Sequence, residues 1–319
     1  MSADQQLKQR VEEETARRAR LGVPAVVAGV LYLLSAIILN AILNSAPTVG
    51  PLQGLTPALN GQANPVRSPR WEEVVYESHH ALQLIAGSVL TSIALGILTV
   101  CLLFVLGAVT HRRPETSPLA RPLVLAGGSL IALLGVINEV VLSIRRHHFV
   151  SAHNYSIHAV NAITHNTGYD ILAIFTPLAG LALVAGMIIT MLGCVRVGLL
   201  PRWMGMVGGV SAVLLLLPTP TFDLIPSFWL VALGILMMGR WPKGDPPAWA
   251  AGEARPWPSQ AQMRSEQLAA REAKGKKSPP AQGKPAQPSR AAESADVVPA
   301  PAQPTSSSSR RRRKRGGRR

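Results

Sequence analysis

ALQLIAGSVLTSIALGILTVCLLFVLGAV, residues 81–109, runs for 29 positions without a charged side chain. About 20 apolar residues in a helix suffice to cross the hydrocarbon core of a bilayer, so this stretch belongs in a membrane. Its surplus length calls for tilt or for projection beyond one surface. Ser88, Ser92, Gly96 and Thr99 recur within it at spacings of four, four and three. They form a small-residue stripe on which a second helix can approach closely, a packing seam rather than a pore.

Outward from this stretch, residues 23–43, 123–144 and 171–195 repeat the pattern. Pro177 interrupts the last of these and predicts a kink. Gly128 with Ala132, and Ala182 with Gly186 and Thr190, supply further close-packing faces. Two shorter apolar stretches, residues 203–217 and 222–239, are separated by PTPTFD. Fifteen helical residues rise only about 22 Å against a core of about 30 Å, so these are either two short spans or a re-entrant hairpin. Either way Gly205 and Gly209 favour tight pairing there, and the chain returns to the side from which it left. The reading of two short spans is preferred, and the expected fold is all-α, a polytopic membrane bundle of about six transmembrane segments over residues 21–241. A juxtamembrane segment, 1–20, precedes it, and a disordered tail, 242–319, follows.

Charge orients the bundle. The formal net charge is +15, and from Arg240 onward 18 Lys/Arg face 6 Asp/Glu, so most of the basicity belongs to the tail and not to the fold. Lys8, Arg10, Arg17, Arg18 and Arg20 precede the first span, Arg112, Arg113 and Arg121 follow the second, and Arg196 and Arg202 follow the fourth. Basic residues next to spans mark the cytoplasmic side, which puts both termini in the cytoplasm. The first span follows a charged leader and is too long for the apolar core of a cleaved signal peptide, so it reads as a retained signal anchor. Cys101 and Cys194 both fall in or at the end of apolar runs, where a disulfide framework is not expected.

The outer side carries the polar chemistry. The loop at 45–69 is rich in Pro and Gly and has no apolar run. RRHHFVSAHNYSIHAVNAITHNTGYD, residues 145–170, holds five of the eight histidines. On a helix, Asn154, His158, Asn161 and His165 share one side, with Ile157, Ala159, Val160 and Ile163 on another, the pattern of a surface-lying amphipathic helix. Before the second span, WEEVVYESHH (71–80) brings Glu73, Glu77 and His80 to one face if it is helical. Glu77-x-x-His80 has the carboxylate–imidazole spacing of metal sites on bundle helices. Together with Glu139, His158 and His165 these could hold a transition metal, since imidazole suits Zn, Cu, Fe or Ni. Glu139 also shares a helical face with Ser143 and Arg146, so a structural Glu139–Arg146 pair competes with a role in binding a cation or proton.

The chain ends in Arg310, Arg311, Arg312, Arg313, Lys314, Arg315, Arg318 and Arg319 after a Ser, Pro and Ala-rich stretch that cannot bury enough apolar surface to order itself. Such a cluster suits the anionic inner leaflet, each basic residue contributing about 1 kcal/mol near the surface. RNA or a ribosome is the other polyanion it could meet, without base stacking because no aromatic residue is interleaved. No phosphate-cradling glycine loop, paired-cysteine zinc motif, zinc-protease helix or nucleophile elbow is present, which argues against an ATPase, a zinc protease or a lipase.

Arg20, Gly29, Tyr32 and Leu33, then Leu200, Pro201, Arg202, Trp203 and Gly205, resemble the corresponding segments of an uncharacterised family of bacterial multi-pass membrane proteins. The resemblance implies a helical bundle in a bacterial plasma (inner) membrane and no assigned activity. Two function classes follow from the residues. One is a non-enzymatic interaction or scaffold protein whose tail binds anionic lipid or a cytoplasmic partner. The other is a metal-dependent redox enzyme or cation transporter with its His/Glu site at the outer face.

Overall fold

The computed structural model describes residues 3–47, 50, 53, 56, 59–61, 68, 70–164, 167–217, 223–242, 244–257, 264–265 and 268–269. Among these the secondary structure is helical, without strands. Helix α1 is Ala3–Ser45, α2 Trp71–His79, α3 Ala81–Arg112, α4 Ala120–Ala152, α5 Ile157–Thr164 and α6 Thr167–Val197. Helix α7 is Arg202–Leu214, α8 Leu224–Met237 and α9 Pro247–Ala251.

Among the described residues, four helices are long and apolar enough to cross a membrane: Lys8–Ser45 within α1, α3, α4, and Tyr169–Val197 within α6. Their outward faces carry large apolar side chains, among them Val27 and Leu34 on α1, Val100 on α3, Leu133 on α4 and Leu178 on α6. A belt of that kind is stable against lipid and not against water. The protein is therefore a membrane-embedded helical bundle. Helices α7 and α8, with 13 and 14 residues, rise only about 20 and 21 Å.

Helix α1 runs unbroken through the leader, so residues 3–20 are its first turns and not a separate helix. Pro24 sits inside it beside Ala25 and Ala28, both fully buried in the core. The spans pack as α4 along α6, α1 along α8, and α3 against both α4 and α1, with α7 against α6. Leu98, Leu102, Leu183, Met187, Met204, Trp229 and Leu233 fill the centre. Cys101 and Cys194 are both buried and free, as their apolar setting requires.

Close approach is concentrated at glycines. A Cβ on Gly29 would lie 2.7 Å from Ser227 O, and one on Gly234 would lie 2.7 Å from Gly22 O, so α1 and α8 pack backbone to backbone. Gly127 of α4 meets the backbone of Ala182 and Leu183 on α6, and Gly186 of α6 meets Val124 on α4. The α3 stripe is only partly a seam: Ser88 donates to Gly135 O at 3.0 Å and Thr99 packs on Gly128, but Gly96 has nothing within 4 Å of its Cβ position. Likewise Gly205 meets Val195 and Gly208 meets Trp229, whereas Gly209 faces open space. The seam of α7 thus follows a three-residue step rather than the four-residue step expected.

The bundle has a basic end and a histidine end. At the basic end, Arg18 is 4% exposed, donates to Met237 O at 3.1 Å and pairs with Asp245 at 2.9 Å. Arg112 pairs with Glu14 at 2.7 Å and donates to Ala248 O at 3.2 Å. Both guanidinium groups lie over the indole of Trp249, at 5.2 and 5.4 Å from its ring centre, and its N–H donates to Leu199 O. Arg255 N–H donates to Val197 O at 2.9 Å, beside Gly198, whose φ of +88° and contact with Arg255 O leave no room for a side chain. Residues 244–257 are thus a strap packed on the base of the bundle. The polar composition that put the start of the tail at 242 conceals one apolar anchor, Trp249. The terminal basic cluster, residues 310–319, and the loop at 62–67 lie outside the described residues.

Candidate functional site

At 33 residues, about 50 Å, α4 is far longer than a bilayer core is thick, and its last turns rise past the ends of the neighbouring spans. Val74 of α2, Phe149 of α4, and Val160 and Ile163 of α5 make a second small core there, with Trp71, Leu142 and Tyr155 packed on it. This explains the amphipathic pattern of α5: its apolar side covers α2 and α4. Arg145 ties the end of α5 down by donating to Ile163 O at 2.9 Å. His153 ends α4 in the left-handed conformation, φ 52°, and lets the chain reverse into α5.

Under this cap lies a buried charge cluster. Arg146 Nε donates to Glu77 Oε2 at 2.9 Å, and its Nη1 to Glu139 Oε1 at 2.7 Å. Arg146 and Glu77 are 9% and 7% exposed. One guanidinium therefore holds two carboxylates, leaving the cluster one negative charge in excess. Burial pushes the Glu77 carboxyl above its usual range, and Arg146 opposes that shift without cancelling it. Ser143, on the same face of α4, has a buried hydroxyl without a hydrogen-bond partner among the described residues.

The structural Glu139–Arg146 pair weighed from spacing is formed. Glu77 joins it from α2, a contact that helical spacing within one segment could not show. Glu73, His80 and His158 go elsewhere. Glu73 pairs with Arg70 at 2.9 Å, and His80 Nδ1 lies 2.9 Å from Tyr76 O with its ring 4.1 Å from that of Tyr76. The expected common face of Glu73, Glu77 and His80 fails because the helix breaks at His80, between α2 and α3. His158 is exposed on α5, and His147 and His148 are exposed on α4. His165 lies outside the described residues. Among the described residues no group of three His, Cys, Asp or Glu side chains is placed to hold a metal ion. Arg146 joins the buried carboxylate of Glu77 to the half-buried one of Glu139.

A second polar feature was not read from sequence. Asp223, at the start of α8, accepts a hydrogen bond from Tyr32 Oη at 3.1 Å. Beside Tyr32 is a cavity of about 160 Å³ bordered by Ser88, Thr91, Ser92, Thr176 and Gly135. Ser35 closes the α1–α3 side, donating to Gly87 O at 2.7 Å and lying 2.6 Å from Thr91 Oγ1. A lone acid between two apolar runs was the available signal, but PTPTFD has the composition of a surface turn. No family model, curated protein or solved structure matches the chain.

Proposed function

We propose that this is a bacterial plasma-membrane protein that acts by interaction and not by catalysis, with both termini cytoplasmic and a basic tail that binds anionic lipid. Four spans and a re-entrant α7–α8 hairpin make up the bundle. The observation that carries this reading is that Arg146 pairs with both Glu77 and Glu139. The carboxylates best placed for a metal-dependent reaction already have a counter-ion inside the fold. The strap adds support, because the chain leaves the bundle from the end where Arg17, Arg20, Arg113 and Arg196 lie. Eight of the last ten residues are basic, a dense positive charge. Short α7 and α8 favour the hairpin over two further spans, since each falls about 9–10 Å short of the core.

The test compares the full chain with a chain lacking residues 310–319, each in nanodiscs of neutral lipid, for flotation with anionic vesicles. The full chain should float with the vesicles. Raising salt from about 0.1 M to 1 M, which shortens the Debye length from about 10 to 3 Å, should abolish this. The truncated chain should stay behind. Equal flotation of both would remove the lipid-binding tail, and co-sedimentation with ribosomes in place of vesicles would make RNA the partner.

A further inference from the structure

Asp223 takes no part in the Glu77–Arg146–Glu139 cluster, yet its position is the less expected of the two. Helix α8 runs antiparallel along α1, with Met238 against Gly22, Ser227 and Val231 against Gly29, and Asp223 against Tyr32. Tyr32 lies nine residues, about 14 Å, beyond the start of the apolar run at residue 23. That is close to half of a core of about 30 Å, so the carboxyl sits at mid-membrane depth. An ionisable side chain there is costly unless it faces the protein interior, and it marks a functional site with its partner.

The surroundings of Tyr32 differ on its two sides. Toward the histidine end is the 160 Å³ cavity, large enough for about five waters at roughly 30 Å³ each, where the hydroxyls of Ser88, Thr91, Ser92 and Thr176 stand among Leu95, Ile131 and Leu215. Toward the basic end, the void among Tyr32, Leu98, Met187, Ser211, Trp229 and Leu230 is only about 10 Å³, too small for a chain of waters. The phenol of Tyr32 therefore stands between a wettable space and the carboxyl, with a packed apolar plug behind.

We infer that Asp223 is a reversible proton-binding site in the middle of the membrane, reached from the histidine end through the hydroxyl-lined cavity and closed toward the basic end. A proton arriving from cavity water on Tyr32 Oη, while the phenol passes its own to Asp223 Oδ1, converts the carboxylate to the acid and leaves the tyrosine unchanged. The reverse steps return it. Tyr32 is the titratable group that α1 turns toward this carboxyl, and the arginines of α1 and α7, Arg18, Arg20 and Arg202, lie at the basic end. On α4, Glu139 sits one turn beyond Gly135 and is held by Arg146.

Dicyclohexylcarbodiimide, an apolar reagent that takes protonated carboxyls in membranes, tests this on the reconstituted full chain. The carboxyl proton goes to a carbodiimide nitrogen and its oxygen to the central carbon, and rearrangement leaves a stable acylurea that peptide mapping can locate. The label should fall on Asp223, decline to nothing as pH rises, and vanish in Asp223→Asn. Tyr32→Phe keeps the carboxyl but removes a hydrogen bond to its ionised form, so its labelling midpoint should move up by about one to two pH units. Absence of label from Asp223 at acid pH in folded protein would overturn the inference, as would an unchanged midpoint in Tyr32→Phe. Labelling blocked by excess sodium chloride but not by choline chloride would make a metal cation the ligand and also overturn it.

Discussion

Replacing Arg146 with Met keeps most of the side-chain volume and removes the guanidinium that pairs with both Glu77 and Glu139. The carboxylate side chains are 9% and 17% exposed, so neither recovers its lost partner from bulk water. Removing one partner from a buried ion pair costs about 3–5 kcal/mol, because it leaves uncompensated charge. At about 2–4 °C per kcal/mol for a unit of this size, thermal unfolding in detergent should fall by on the order of 10 °C near neutral pH. The pH dependence carries the sharper test. Burial already raises the Glu77 carboxyl and Arg146 lowers it, so loss of the arginine raises it further. A raised carboxyl favours folding below its unfolded value and loses that contribution as pH rises through its folded value. The deficit of Arg146→Met should therefore be small at mildly acid pH, where Glu77 protonates, and grow toward alkaline pH. Adding Glu77→Gln to Arg146→Met should recover part of the loss. A deficit that is the same at acid and alkaline pH, or a double variant no better than the single one, would refute buried charge as its cause.

Gly29→Ala sets a methyl against the α8 backbone, 2.7 Å from Ser227 O and 2.9 Å from Val231 N, and should destabilise the bundle by about 1–3 kcal/mol, read as a lower unfolding temperature. Gly96→Ala meets nothing within 4 Å and should be neutral or slightly stabilising in the same assay, since alanine is the better helix former by about 1 kcal/mol. Trp249→Ala empties a buried site, frees Leu199 O and strips the ring from between Arg18 and Arg112; a cost of about 3–5 kcal/mol is expected. Hydrogen exchange should then speed up across residues 244–257, including the Arg255 amide bonded to Val197 O, while the amides of α4 stay protected.

Hydropathy made the four long spans legible because crossing a membrane leaves a signal many residues wide. The Glu139–Arg146 pair was legible too, because two turns along one helix bring side chains to the same face. Contacts between segments were not. Nothing about Glu77 shows that α2 packs on the overhang of α4, and a projection carried through His80 assumes a helix that in fact breaks there. The small residues teach the same lesson. Gly96 and Gly22 look alike in their apolar runs, but only Gly22 has another backbone against it. The strap is not legible in the composition because one tryptophan decides its packing, and composition averages over one residue.

The position of Asp223 beside Tyr32 follows from a change of partner along α1. Below Tyr32, Gly22 and Gly29 take α8 at backbone contact; above it, Ser35 bonds Gly87 O and Leu39 covers Gly87, so α3 has become the neighbour. With only 14 residues, α8 cannot follow α1 any farther, and its first turn stops at Tyr32. Where one helix hands over to another, neither fills the space completely, and the hydroxyl-edged cavity lies at that junction. Full-length α7 and α8 would carry the apolar seam to the far surface and close the gap with side chains. The shortness of the hairpin is thus what leaves both the cavity and the acid in the interior. Lengthening α8 by one turn ahead of Asp223, with leucine and alanine, should fill the junction, and the carbodiimide label on Asp223 should be lost with it; undiminished labelling would mean that the cavity is not the route to the carboxyl.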